Sequence, residues 1–401
     1  MSNIKYVTLS AVCDYCSDRV SATSVTVNNY ISTENMLPNK GGIEAADSVP
    51  ELRTFSGYSA GDILLSNIRP YFQKIWFADR SGGCSNDVLV LRAKENTDAK
   101  FLYYVLSDNN FFNYDTVTSK GTKMPRGSKS AIMKYLVPDI DLPIQKRIAD
   151  ILSAYDDLIE NNNRRIALLE KAARELYKEW FVRFRFPGYE NAAFENGLPV
   201  GWKYIPFGQA VEIIDGDRGI NYPKQEEFLQ FGECLFLNAG NVTKSGFDFS
   251  VCQYITAEKD NSLRQGKLSY DDVVLTTRGT VGNVAFYNKK MTFSEMRINS
   301  GMVILRSIGI ISPELIYTAL REEYFQKMMF LYASGSAQPQ LPIKDMKRIK
   351  ILCCDKVTMD KFTKICIPIY EEISLFIMKN LNLARQRDLL LPRLMSGKLE
   401  V

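Results

Sequence analysis

IADILSAYDDLIENNNRRIALLEKAARELYKEW, residues 148–180, carries its apolar side chains at alternating intervals of four and three. Leu152, Tyr155, Ile159, Ile166, Leu169, Ala173, Leu176 and Trp180 fall on one stripe, with Asn162 inside it. This is a heptad seam sustained for more than four heptads, the pattern of a long helix that pairs with another. Pro143 just before it suits a helix start. A comparable stripe of Ile369, Ile373, Phe376, Asn380, Leu383, Leu390 and Leu394 lies towards the end of the sequence, with Arg387 inside it. Pro368 is expected to start or kink that second helix, and Pro392 to disturb its end. An amphipathic helix ordinarily lies on its own domain's core. Two of equivalent length, each with an Asn in its stripe, point instead to mutual pairing. The expected seam contacts are Leu152, Ile159, Asn162, Ile166 and Leu169 on one helix, and Ile373, Asn380 and Leu383 on the other. A buried Asn fixes register and orientation at some cost in stability.

Working outward, the chain repeats itself. SDR (17–19) recurs as GDR (216–218), an offset of 199. SAGDILLS (59–66) recurs as SYDDVVLT (269–276) at 210, each followed by an arginine, Arg69 and Arg278. LYY (102–104) matches LIY (315–317) at 213, GTKMP (121–125) matches GSAQP (335–339) at 214, and Asn162 matches Asn380 at 218. The offset drifts one way, as insertions in surface loops would make it drift. Five matches in one order point to a two-copy chain. In each copy, roughly 1–140 and 190–355, short apolar runs such as DVLVLR (87–92) and NSGMVILR (299–306) are punctuated by Gly, Asn and Ser. They read as strands of mixed, mainly β domains.

Composition narrows the chemistry. The 401 residues hold 50 Lys+Arg, 46 Asp+Glu and no histidine. No His-activated nucleophile, His general base or His-ligated metal can therefore come from this chain alone. A 46% hydrophobic share with 24% charge is that of a globular protein, and the length allows two or three domains. The net charge of +4 leaves any basic footprint to be local. Eight scattered cysteines, and no apolar signal region in the first residues, are expected of reduced thiols in the cytoplasm. Cys13 and Cys16 form half of a zinc pattern with no second pair at useful spacing, so buried thiols are the plainer reading. No apolar run reaches eighteen residues, so no membrane span is expected.

Catalytic signatures are missing. The sequence has no GxxxxGK[ST] loop, no GxGxxG after a strand, and no [ND]PP[YF] motif. Glu314 with Asp345 and Lys347 can be stretched into a nuclease pattern, but the other copy has Ile132 where Asp345 falls. What remains is a basic loop. Residues 116–138 carry Lys120, Lys123, Arg126, Lys129 and Lys134 with no acid, threaded by Gly121, Gly127 and Ser128. Such a run is ordinarily a solvated loop. Glycines nevertheless let backbone amides approach phosphates, while the cations displace counterions. The matching stretch SGSAQPQ (334–340) offers Gln338 and Gln340 instead of charges. Gln suits the N6/N7 edge of adenine as Arg suits the O6/N7 edge of guanine. Equivalent loops of unlike chemistry are what two readers of different sequences would carry.

LPIQKRIADIL (142–152), DDLIENN (156–162) and WFVRFRFP (180–187) resemble the central conserved region of type I restriction-modification specificity subunits. LPVGW (198–202) resembles that family's lead-in to its second target-recognition domain, and LLLPRLMSGK (389–398) the end of its distal helix. The first copy has no LPxGW counterpart. The resemblance implies an α+β fold: two mixed, mainly β target-recognition domains joined by two long antiparallel, coiled-coil-like helices in a pseudo-twofold duplication. The corresponding segments are 1–141 (first domain), 142–187 (central helix), 188–357 (second domain) and 358–401 (distal helix).

It also implies a non-catalytic DNA-recognition subunit, each domain reading one half of a split duplex site, with two modification (methyltransferase) subunits and restriction (motor-nuclease) subunits as partners. No cofactor is expected on this chain. S-adenosylmethionine belongs to the modification subunit, ATP and Mg2+ to the restriction subunit. The candidate DNA contacts are Arg69, Lys120, Lys123, Arg126, Lys129, Arg278, Gln338 and Gln340. A helix of about 35 residues is roughly 50 Å long, which exceeds the ~34–36 Å of one DNA turn. An unread gap between half-sites follows. The alternative is a coiled-coil adaptor whose two β-rich domains bind proteins; it shares the architecture but shows no salt-sensitive duplex binding.

Overall fold

The computed structural model describes residues 5–335 and 339–396. The chain divides into two compact units, 1–159 with 383–401, and 160–382. The division runs through both long helices rather than along the segment limits read from the sequence. The reason is packing. Ile148, Ala149, Leu152, Leu391 and Leu394 share a core with Leu9, Phe101 and Leu102. Ile166, Ala173, Trp180, Tyr370, Ile373 and Phe376 belong to the core of the other unit.

In the first unit the central sheet is four-stranded and antiparallel, in the order Cys13–Tyr15, Val88–Ala93, Ile63–Ser66, Ile75–Phe77. Ile63–Ser66 is buried throughout because both faces of the sheet are covered. Ile63 and Leu65 face a core built with the helices Ala99–Ser107 and Asn109–Thr118, whereas Leu64 faces Ile31, Met36 and Tyr58. The second unit repeats this with Val211–Asp215, Met302–Ser307, Val273–Thr276 and Val284–Phe286. Val273 and Leu275 meet the helix-side core, and Val274 the other. One ion pair also recurs. Arg92 grips Asp62 through two 2.7 Å bonds, and Arg306 grips Asp272 through two of 2.8 Å. In each case the carboxylate also accepts from a serine N–H three residues earlier, Ser59 or Ser269, at 2.7 Å.

The correspondence is tighter than the drifting offset suggested. Val88–Ala93 and Met302–Ser307, Asn109–Thr118 and Glu323–Tyr332, Lys129–Ile132 and Ile343–Met346, and Leu136–Asp139 and Lys350–Cys353 are all 214 apart. So are the starts of the long helices at Leu142 and Lys356. Leu102 is therefore matched by Ile316 and Asn162 by Phe376; the Asn162–Asn380 match lies one helical turn off. The offsets of 213 and 218 reflect coincidental residue likeness rather than insertions.

The first long helix runs Leu142–Tyr177 and continues into a π-helical turn, Lys178–Val182. The second runs Lys356–Met395 and contains both Pro368 and Pro392. Pro368 does not start it, and Pro392 lies in its last turn. A proline removes one backbone bond at a cost of about 3 kcal/mol. The buried row Phe362, Cys366, Tyr370, Ile373 and Phe376 spans that defect. The true start is set by Asp355, whose carboxylate accepts from Thr358 N at 2.9 Å and from Trp202 Nε1 at 2.9 Å. Within the second unit Asn162 donates to Asn380 at 2.8 Å, Asn380 donates to Asn163 at 2.8 Å, and Arg165 lies over the Phe376 ring. Numbers rise on one helix as they fall on the other, so the pair is antiparallel there. Of the expected seam residues, Leu152, Ile166 and Ile373 are buried, and Ile159, Leu169 and Leu383 half-buried. Within the first unit Arg387 is ion-paired to Asp156, which also accepts from Tyr104 Oη.

Candidate nucleic-acid interface

Each central sheet presents a turn between its last two strands, and each turn carries a second loop on its back. In the first unit Lys120 and Arg126 exchange backbone bonds of 2.9 Å, closing a hairpin. That hairpin is fastened to the interstrand turn by Arg69 N to Pro125 O at 2.8 Å and Gly127 N to Asn67 O at 3.0 Å. In the second unit Ser334 and Gln340 exchange bonds of 2.9 and 2.8 Å. The same two fastenings follow, Gly279 N to Pro339 O at 3.3 Å and Leu341 N to Thr277 O at 2.9 Å. Gly121 and Gly335, with φ of 96° and 94°, occupy the same bend of the two hairpins. Loops set on paired strands in this way hold their side chains in fixed places.

The candidate residues fall on these loops. Lys120, Lys123, Arg126 and Lys129 are exposed, as is Gln340; Gln338 lies outside the described residues. Arg126 is not free, since its guanidinium meets Asp87 at 3.1 Å. The Lys129 ammonium lies 5.8 Å over the Tyr15 ring. Arg69 and Arg278 both sit in the interstrand turns but are not counterparts. Ile68 bridges to Arg126 as Arg278 does to Gln340, so Arg69 is matched by Gly279. One-residue slippage hid this, because an arginine follows each strand at a different distance.

Beneath the first hairpin lies a feature that sequence reasoning missed. Asp115 is fully buried with no hydrogen-bond partner for either oxygen, and Asn67 Oδ1 beside it has none. Gly127 makes room for them: a Cβ there would come within 2.6 Å of Asp115 Oδ1 and 3.0 Å of Asn67 Oδ1. Burial pushes the Asp115 carboxyl up to about 7. In the second unit the same three positions are Thr277, Met329 and Leu341, the last two apolar core residues and the first bonded through its hydroxyl to Gly301 O at 3.1 Å. Also missed was the turn 69–73, where Tyr71 and Phe72 are exposed. The run RPYFQ (69–73) between two strands was the available signal.

Two loops fastened alike to like scaffolds, with unlike polar residues among those described, are suited to recognition. The family model of the type I restriction modification DNA specificity domain matches residues 2–171. The MjaIX specificity subunit of Methanocaldococcus jannaschii is 26% identical over 312 residues, covering 77% of this chain and 71% of that one. The HindI specificity subunit of Haemophilus influenzae is 23% identical over 459 residues, 100% of each. The EcoDI specificity subunit of Escherichia coli is 31% identical over 136 residues, 31% of this chain and 30% of that one. Among solved structures, the type I restriction-modification system S subunit from M. genitalium matches with a TM-score of 0.54 at 17% identity. That likeness, over 98% of this chain and 97% of that one, is one of fold. Residues 2–171 thus match the type I restriction modification DNA specificity domain, and along its length the chain is similar to type I restriction enzyme specificity subunits. Among the described residues, no helix is long and apolar enough to cross a membrane.

Proposed function

We propose that the chain reads a bipartite duplex site, one half through the hairpin of each unit, and that its long helices set the unread gap and dock two modification subunits. The observation that carries this reading is the pair of hairpins. They share their fastenings and their glycine bend, yet one exposes Lys120, Lys123 and Arg126 where the other exposes Ser334 and Gln340. Cations on the first neutralise phosphates, and the amide of the second addresses a base edge. S-adenosylmethionine on the modification subunits, and ATP with Mg2+ on restriction subunits, complete the proposed complex in the cytoplasm.

The Lys120→Ala, Lys123→Ala, Lys129→Ala triple variant should weaken duplex binding alike on all sequences. It should flatten the salt dependence by up to roughly 0.9 in log–log slope per lost phosphate contact. Arg126→Ala should instead relax preference at one position of the first half-site, because Asp87 holds that guanidinium in a single orientation. Titrations over a range of salt read both effects. An unchanged slope in the triple variant would leave the hairpin merely solvated, and absence of wild-type duplex binding at low salt would favour the protein-binding adaptor.

The spacer role has its own test. One heptad added after Asn162 and one after Asn380 keeps both apolar stripes in phase. Each adds about 10 Å of helix, or at most roughly three base pairs of duplex rise. Methylation by the reconstituted complex on a library of gap lengths should shift to a gap longer by about one to three base pairs. Retention of the original gap by an active complex would remove the helices as spacer.

A further inference from the structure

We propose that the turn 69–73 of the first unit is a second base-reading element, in which Tyr71 and Phe72 form an aromatic wedge against a base step beside the hairpin's contacts. This rests on the DNA-recognition reading above.

The first observation is strain. Seven non-glycine residues among those described have positive φ, and four of them meet at one place. Asn39 and Lys40, at 56° and 60°, donate their N–H groups to Phe72 O and Gln73 O, both at 2.8 Å. Arg69 and Gln73, at 51° and 52°, bracket the turn those carbonyls belong to. The second unit shows that the fold does not demand this. Ser66 N bonds Lys74 O as Thr276 N bonds Asn283 O, which makes Gly279 and Gly282 the counterparts of Arg69 and Gln73. Those glycines take φ of 71° and 98° freely. Where glycine serves at one site and Arg and Gln are kept at the other, the side chains have a use that offsets their backbone strain.

The second observation is what the turn presents. Between Arg69 and Gln73 stand Pro70, Tyr71 and Phe72, against only Thr280 and Val281 in the second unit. Tyr71 is 49% and Phe72 38% exposed, with ring centroids 4.8 Å apart. The Arg69 guanidinium and the Lys74 ammonium lie 6.0 and 5.9 Å from the Phe72 ring. Arg69 Nε is buried with no hydrogen-bond partner. The turn is held still from below: Lys74 Nζ donates to Thr33 O at 2.6 Å, and Lys40 Nζ to Asn109 Oδ1 at 2.9 Å.

These features favour nucleic acid over a protein partner. Exposed rings beside the Arg69 guanidinium suit a duplex, whose phosphates attract the cation while a ring enters the stack and partly opens a base step. The Arg69 N–H bond to Pro125 O places this wedge beside the hairpin, so the two elements address neighbouring base pairs.

The test uses the full chain and duplexes selected from a random pool, with 2-aminopurine then placed at each position of the first half-site. Tyr71→Ala with Phe72→Ala should abolish the fluorescence rise that wild type causes at one step. Arg69→Gly with Gln73→Gly should fold with an undiminished melting temperature, yet lose about tenfold in preference at one or two positions of the first half. The second half should be unchanged in both. The aromatic pair is half-exposed, so that variant remains informative if the glycine pair misfolds. Wild-type selection profiles and fluorescence in both double variants would overturn the wedge while leaving DNA recognition intact. Failure of the wild-type chain to select any duplex would overturn the recognition reading itself, and the wedge with it.

Discussion

Asp115→Asn should stabilise the first unit above pH 7 and flatten the dependence of its stability on pH. The carboxyl is fully buried, neither oxygen has a partner, and burial alone raises it from 3.8 to about 7. The folded chain therefore holds this proton more tightly than the unfolded chain does. Its contribution is complete below about pH 4, declines as pH rises through the window from 4 to 7, and is gone above it. Each tenfold gain in proton affinity on folding is worth about 1.4 kcal/mol, so the loss across that window has an upper bound of ~4 kcal/mol. An asparagine has the same shape and no charge to bury, so it escapes the loss. Its N–H group also offers Asn67 Oδ1 a donor that does not titrate. Urea unfolding at pH 5.5 and 8.5 measures the effect. A variant as sensitive to pH as wild type would mean that Asp115 finds its proton or its partner elsewhere. Met329 and Leu341 fill the same place in the second unit, so the Asp115 response has no counterpart at that place.

The long helices were legible in the sequence because a heptad stripe is a local, periodic signal, and Pro143 is the second residue of the helix that starts at Leu142. The helix continues through Pro368 because a buried row that only the folded neighbours define outweighs the local rule about proline. The two-copy pattern was legible through a few coincident words. Its true register, 214 throughout from Val88 to the start of the second long helix, emerged only from paired strands. The basic hairpin could be found because charge and glycine are visible in one line of sequence. Its fastening to the turn 67–73 could not, since Arg69 and Pro125 are 56 residues apart and meet through backbone atoms. Asp115 was unreadable for a related reason. An acid in a helix pattern looks solvated until the fold buries it, and nothing in NNFFNYDTVT (109–118) announces that this one faces Gly127.

Arg321→Met should destabilise the second unit by about 3–5 kcal/mol, whereas Arg321→Met combined with Glu170→Met should recover most of that loss. The Arg321 guanidinium meets Glu170 Oε2 at 2.9 Å with both side chains only 10% exposed. It also donates to Lys244 O at 2.9 Å and to Tyr317 Oη, and lies 5.2 Å from the Tyr317 ring. Glu170 Oε1 has no partner even in the intact pair. Removing the arginine leaves a buried carboxylate with nothing opposite it, and that uncompensated charge is the larger part of the cost. Removing both charges leaves apolar groups in a core already lined by Ile166, Ala173 and Tyr317. The pair is therefore a weak source of stability and a strong fastener. Glu170 belongs to the first long helix, and Arg321 stands between Pro313–Leu320 and Glu323–Tyr332, the helix that leads to the hairpin 334–340. Loss of Arg321 should free that hairpin's support, so the single variant should lose base preference in the second half-site and keep it in the first. The double variant should regain both stability and preference. Equal instability of single and double variants would show that the ion pair itself, rather than the avoidance of an unpaired charge, holds this helix to its reader.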